Sequence, residues 1–142
     1  MAPLASFSPS VNYARLSTLA YPTVTPTVNA VAAAVTYTAA EVLSGFLLRD
    51  ALSAARADLL PTAAAIVAAI NGCMVGTAFR TVIRNTGAGA GSITLTTNTG
   101  LTLSGTMVIV FQQQKELMFV VTNNTPGSEA VTVYSLGASV AI

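Results

Sequence analysis

Acid–base and nucleophilic chemistry in proteins draws first on histidine, and this sequence of 142 residues contains none. Without imidazole there is no Ser-His-Asp or Cys-His relay and no histidine-ligated zinc, which removes most hydrolase mechanisms. The carboxylates Glu41, Asp50, Asp58, Glu116 and Glu129 occur singly, without the close spacing of a calcium loop, and read as solvated or salt-bridged groups rather than as a catalytic pair. Cys73 has no second cysteine to join and lies in the apolar stretch INGCMV at 70–75, so a buried, inert thiol is expected. The segment GAGAG at 87–91 lacks the Lys-Ser/Thr of a phosphate loop and lies between strands rather than opening a helix, so it reads as a flexible hairpin loop. Arg80 and Arg84 share one side of a strand and could hold an anion, although pairing with Glu116 or Glu129 on a neighbouring strand is the favoured reading. The NNT triplet at 123–125 is a glycosylation acceptor that has no meaning without export. No enzyme, no cofactor and no metal follow from these residues.

What must surround them is set by composition. Only six basic and five acidic residues are present, the net charge is +1, and 53% of the chain is hydrophobic. A domain of this size leaves roughly a third of its unfolded surface exposed, which interspersed charge normally keeps soluble. Here Thr, Ser, Asn, Gly and Ala must form that surface, which suits contact with other subunits and predicts life within an assembly. Nucleic acid is disfavoured, because no Lys/Arg cluster is available to release counterions. The mean hydropathy of +0.68 suggests a membrane span only over 59–79, and that stretch is interrupted by Pro61, Asn71, Gly72 and Gly76. A core helix and turn are expected there, not a span. The first ten residues lack a basic region ahead of an apolar one, so synthesis in a cytoplasm without export is expected.

Along the chain, residues 1–30 hold four of the six prolines, Pro3, Pro9, Pro22 and Pro26, and read as an extended arm carrying Leu4, Phe7, Tyr13, Leu16 and Tyr21 as contact residues. The arm lies either on its own domain or on a neighbour. Residues 31–142 form the domain proper. Strands are expected over 34–38 and 41–50, loop or short helix over 51–60, and one helix over 62–70 with Pro61 before it and Gly72 capping its end. From Phe79 onward the period falls to two: 79–84, 92–96, 101–103, 107–111, 117–122 and 130–135 are strands bounded by Gly, Asn or Pro, with 112–115 as a loop. The fold expected is mainly β, an antiparallel β-sandwich or jelly-roll-like domain with one short helix and an extended N-terminal arm. Threonine lines one side of its strands.

The motifs TAAEVLSG at 38–45, LRD at 48–50, DLLPTA at 58–63, VGTAFR at 75–80, IRNT at 83–86, TGLTLSGTM at 99–107 and VTVYSLG at 131–137 together resemble a β-rich domain of small virion proteins of tailed phages and of some large-virus structural proteins. The resemblance covers about residues 38–137 and leaves the arm out. It implies a capsid decoration (cement) protein, often trimeric, that binds the major capsid protein on the outside of the head and staples neighbouring subunits. The alternative it implies is a tail fibre, spike or host-receptor-binding module, in which loops 85–91 and 123–128 carry recognition. The lack of tryptophan weighs against a sugar-stacking platform.

Overall fold

Buried and unburied side chains alternate most regularly along two strands, β4 (Ala78–Asn85) and β8 (Gln113–Asn123), and in the computed structural model, which describes residues 26–137 and 140–141, these two form the centre of the larger sheet. They run antiparallel with Ile83 opposite Lys115 and Phe79 opposite Phe119. Thr81, Ile83 and Asn85 of the one strand, and Lys115, Leu117, Phe119 and Val121 of the other, are buried, while the residues between them are not. One sheet face is thus committed to the core by the pleat itself. Beyond β8 come β9 (Ala130–Ser135), antiparallel to it, and β6 (Leu101–Ser104), parallel to β9. On the other side, β2 (Phe46–Asp50) lies parallel to β4, and β1 (Thr27–Ala30) parallel to β2. The short β10 (Val140–Ala141) pairs with the start of β8. A second sheet of three strands contains β3 (Arg56–Leu59), β5 (Ile93–Thr96) and β7 (Val108–Ile109). One buried cluster joins Leu47, Ile83, Phe119 and Val133 of the large sheet to Ile93, Leu95 and Ile109 of the small one and to Val42 and Ile66 on two helices.

A mainly β architecture with two sheets is therefore what the alternation foretold, but the sheets are mixed rather than antiparallel. Four pairings are parallel: β1 with β2, β2 with β4, β3 with β5, and β6 with β9. Parallel neighbours need crossover connections of a dozen or more residues, and the segment between β2 and β4, which carries β3 and a helix, is long enough to supply one. Alternation reports which side chains are buried and says nothing of which strand lies alongside which.

The described residues also form two short helices, not one. α1 (Ala39–Leu43) takes in the first three residues of the stretch expected as a strand over 41–50, and its cause is local. Thr38 Oγ1 accepts the Glu41 amide at 3.2 Å, and the Glu41 carboxylate accepts the Thr38 amide at 2.7 Å, a reciprocal capping box that satisfies two otherwise orphaned donors. Gly45, at φ +83°, turns the chain out of α1 into β2. The strand expected over 34–38 reduces to a single bridge from Thr36 to Leu59, and the segment over 51–60, expected as loop or short helix, contains β3. α2 (Ala63–Ala69) stands as expected behind Pro61, with Thr62 as its N-cap; its C-cap is Ile70 rather than Gly72. The loop expected over 112–115 is mostly strand, because β8 begins at Gln113. Thr27–Ala30, read as the end of the arm, belongs to the large sheet.

The glycine-rich segment 87–91 is not a free hairpin loop. It packs on the backbone of 52–54: a Cβ on Gly89 would sit 2.8 Å from the Ser53 Cβ, and one on Gly91 would overlap the Ala54 carbonyl group. Buried Asn85 holds the segment by donating from Nδ2 to the carbonyls of Gly91 (2.9 Å) and Ile109 (3.3 Å) and by accepting the Gly87 amide at 3.1 Å. Glycine is required there for space, not for an unusual φ. Gly91→Ala is accordingly expected to lower the free energy of unfolding by about 1–3 kcal/mol through overpacking, read as a shift in the denaturant midpoint at unchanged slope.

Candidate functional site: a buried ionic centre and an outer sheet face

The most polar point in the core is built from β2 and β3. Alternation along β2 buries Leu47 and Arg49, and a guanidinium in that position requires a counter-charge. Asp58 of β3 provides it, and both residues are fully buried. Arg49 Nε donates to Asp58 Oδ2 at 2.7 Å and Nη2 donates to Oδ1 at 3.2 Å, the two-pronged geometry that suits guanidinium to carboxylate. The Tyr37 hydroxyl donates to Oδ2 at 3.0 Å and the Val35 amide to Oδ1 at 3.0 Å. The remaining Arg49 donors reach the carbonyls of Asn29, Val31, Asp50 and Ala33 at 2.7–3.2 Å. Burial, reinforced by the Asp58 charge, pushes the Tyr37 hydroxyl far above its ordinary range. Burial alone would lower the Arg49 pKa, but the Asp58 contacts raise it. These groups are sealed from solvent, and the centre ties chain segments together.

The other carboxylates are engaged as well. Glu41 caps α1 and accepts from Asn29 Nδ2 at 2.9 Å; burial would raise its pKa, but the Thr38 and Asn29 hydrogen bonds hold it lowered. Asp50 accepts the Leu52 amide at 2.7 Å, supporting a positive φ of 55° at Leu52, and Glu129 accepts the Gly127 amide at 3.0 Å. Glu116 meets Arg80 at 3.1 Å. That pairing is the one foreseen, and with 61% and 43% of the two side chains exposed it contributes little stability. Among the described residues no three Asp, Glu or Cys side chains gather where a metal could sit, and no helix is long and apolar enough to cross a membrane. Cys73 is half-buried against the core rather than fully enclosed. Lys115 is buried, donates to Ser135 Oγ at 3.2 Å and to the Gly137 carbonyl at 3.0 Å, and has its pKa lowered by burial.

The second feature is the outer face of the large sheet. The register lines up Val28, Leu48, Arg84 and Gln114 across it, then Phe46, Val82 and Glu116, then Arg80, Met118, Tyr134 and Ser104, then Ala78, Val120, Thr132 and Thr102. None of these residues is buried. Both helices belong to the opposite side, where Val42 and Ile66 enter the core and the Thr81 hydroxyl donates to the Val42 carbonyl. Arg84 Nε is screened from water yet has no acceptor among the described residues. The expected contact residues Leu4, Phe7, Tyr13, Leu16 and Tyr21 lie outside the described part of the chain. Sequence reasoning missed Arg49 and Tyr37 and read Asp58 as a solvated or salt-bridged group: it is salt-bridged, but in the core.

Removing one partner of the ionic centre leaves a buried charge uncompensated. Asp58→Ala is expected to cost about 3–5 kcal/mol of stability, and the double change Arg49→Met with Asp58→Leu less than either single change; denaturant unfolding of the three variants checks this. Because Glu41 titrates lower when folded, it contributes stability above the ordinary glutamate value of about 4.3, which is lost as pH falls from there through its folded value. Glu41→Gln should therefore flatten the acid side of a melting-temperature profile. No family model matches this chain, and neither a curated protein nor a solved structure is significantly similar to it.

Proposed function

We propose that the chain is a structural subunit of a virion: a capsid decoration protein, working as a homo-oligomer, that binds the outside of a phage head and staples neighbouring major capsid protein subunits. On this reading its body is a two-layer β-sandwich and its N-terminal residues reach the neighbours. The observation that carries the proposal is the outer face of the large sheet, which no described element covers and where Val28, Phe46, Leu48, Val82, Met118, Val120 and Tyr134 stand among hydroxyls and amides and only three charged side chains, Arg80, Arg84 and Glu116. A face of that kind is a burden on a solitary molecule and an asset in a particle. The engagement of all five carboxylates in caps, turns and ion pairs supports a non-enzymatic role. The rival role in a tail fibre or spike draws less support, because the 87–91 segment that would carry recognition is packed down on 52–54.

Two measurements test the proposal. Light scattering of the purified chain at micromolar concentration should give a multiple of the 14.4 kDa chain mass, with three copies expected. Reconstruction of the particle that contains it should place it on the capsid exterior at junctions between subunits. A stable single chain that turns over a small substrate would overturn the reading.

A further inference from the structure

Width and composition of the outer face say what covers it. Six strands at about 4.8 Å spacing make it roughly 24 Å wide, and its strands are short, so it presents on the order of 400 Å², half the ~800 Å² that each partner contributes to a standard interface. Two such faces pressed together would fall short of a stable contact. A strip of chain laid across each face buries more, since it also covers its own side chains.

We propose that the strip is residues 1–25 of a second copy, each copy covering the outer face of its neighbour; this deepens the assembly reading and rests on it. These residues join the described domain at Pro26, directly before the edge strand β1 of the same sheet. Twenty-five residues can extend to roughly 80 Å, several times the width of the face. They include Leu4, Phe7, Tyr13, Leu16 and Tyr21 and a single charge, Arg15, which fits a surface where Leu48, Val82, Met118, Val120 and Tyr134 surround the mutually neutralised Arg80 and Glu116. The carbonyls of an extended chain also supply the acceptor that Arg84 Nε lacks among the described residues. The choice of a neighbour over the chain's own face follows from the residues at the junction. Pro22 and Pro26 disfavour a helical turn in Tyr21 and Thr25, and Thr23, Val24 and Thr25 are β-branched. Such a sequence favours extended backbone, which suits a chain that runs on from β1 to a neighbour better than one that doubles back over its own sheet.

The test uses the full chain with p-benzoylphenylalanine in place of Met118, mixed and equilibrated with an excess of nitrogen-15-labelled wild type, irradiated, and read by peptide mass spectrometry alongside the mass in solution. The expected products join position 118 to peptides from 1–25, with labelled and unlabelled arm peptides in the ratio of mixing. Val120→Glu should in parallel reduce the assembly to single chains with an unchanged circular dichroism spectrum. Arm peptides carrying only the label of the probed chain would overturn exchange in favour of self-covering. Products at other segments of an assembled chain would overturn the inference and leave the assembly reading standing. A single-chain mass without arm products would sink both. If position 118 does not tolerate the probe, Thr132 on the same face takes it, with the same outcomes.

Discussion

The contact between Arg49 and Asp58 holds this molecule's parts in relation to one another. It is the only buried ion pair among the described residues, and it spans the two sheets: Arg49 belongs to β2 of the larger and Asp58 to β3 of the smaller. Through Tyr37 and backbone carbonyls it also fixes the irregular stretch between β1 and α1. Its first part, Val31, Ala32, Ala33 and Ala34, is all exposed, so apolar burial anchors the stretch only farther on, at Val35 and Tyr37. One guanidinium supplies the hydrogen bonds that regular structure would otherwise supply. A buried pair of this kind adds little net stability over an apolar substitute, but it penalises any register in which its members fail to meet.

Much of the strand content was legible in the sequence, because burial of one sheet face writes itself as alternation. Ile83, Val131 and Val133 announced themselves in that way, whereas the apolar run LMFVV at 117–121 marked a strand without telling which side is buried. The capping box of α1 was equally legible, since Thr38 and Glu41 stand at the required spacing, but the β-branched and aromatic residues around it drew the reading toward a strand. The parallel pairings were not legible: they depend on how crossovers pass over the sheet, and no periodicity encodes that. Nor was the ionic centre. Arg49 and Asp58 each look like surface residues in isolation, and their nine-residue separation spans a change of sheet. The glycines at 87, 89 and 91 were read as freedom because close packing against 52–54 is a tertiary fact.

The distribution of charge explains how so few ionised groups suffice. Every acid has a structural role, whether at a helix start, under a positive φ, in a tight turn, in the core or beside Arg80. None is left for general solvation, and the polar character of the exterior falls to hydroxyls and amides. Such a surface is weakly hydrated compared with a charged one and less costly to dehydrate when another molecule approaches. The outer face of the large sheet joins apolar side chains such as Leu48, Val82, Met118 and Val120 to three charged ones, two of which, Arg80 and Glu116, neutralise each other.

The central position of β8 has a consequence for how the molecule is made. Its partners β4 and β9 flank it in space, yet β4 is synthesised some thirty residues earlier, and β1 and β2 earlier still. Until residue 123 has left the ribosome, the leading half of the chain owns apolar strands without the hub that joins them. Long-range and parallel pairings of this sort close slowly. A nascent chain so poor in charge therefore passes through an interval in which its apolar strands lie exposed and aggregation competes with completion of the sheet.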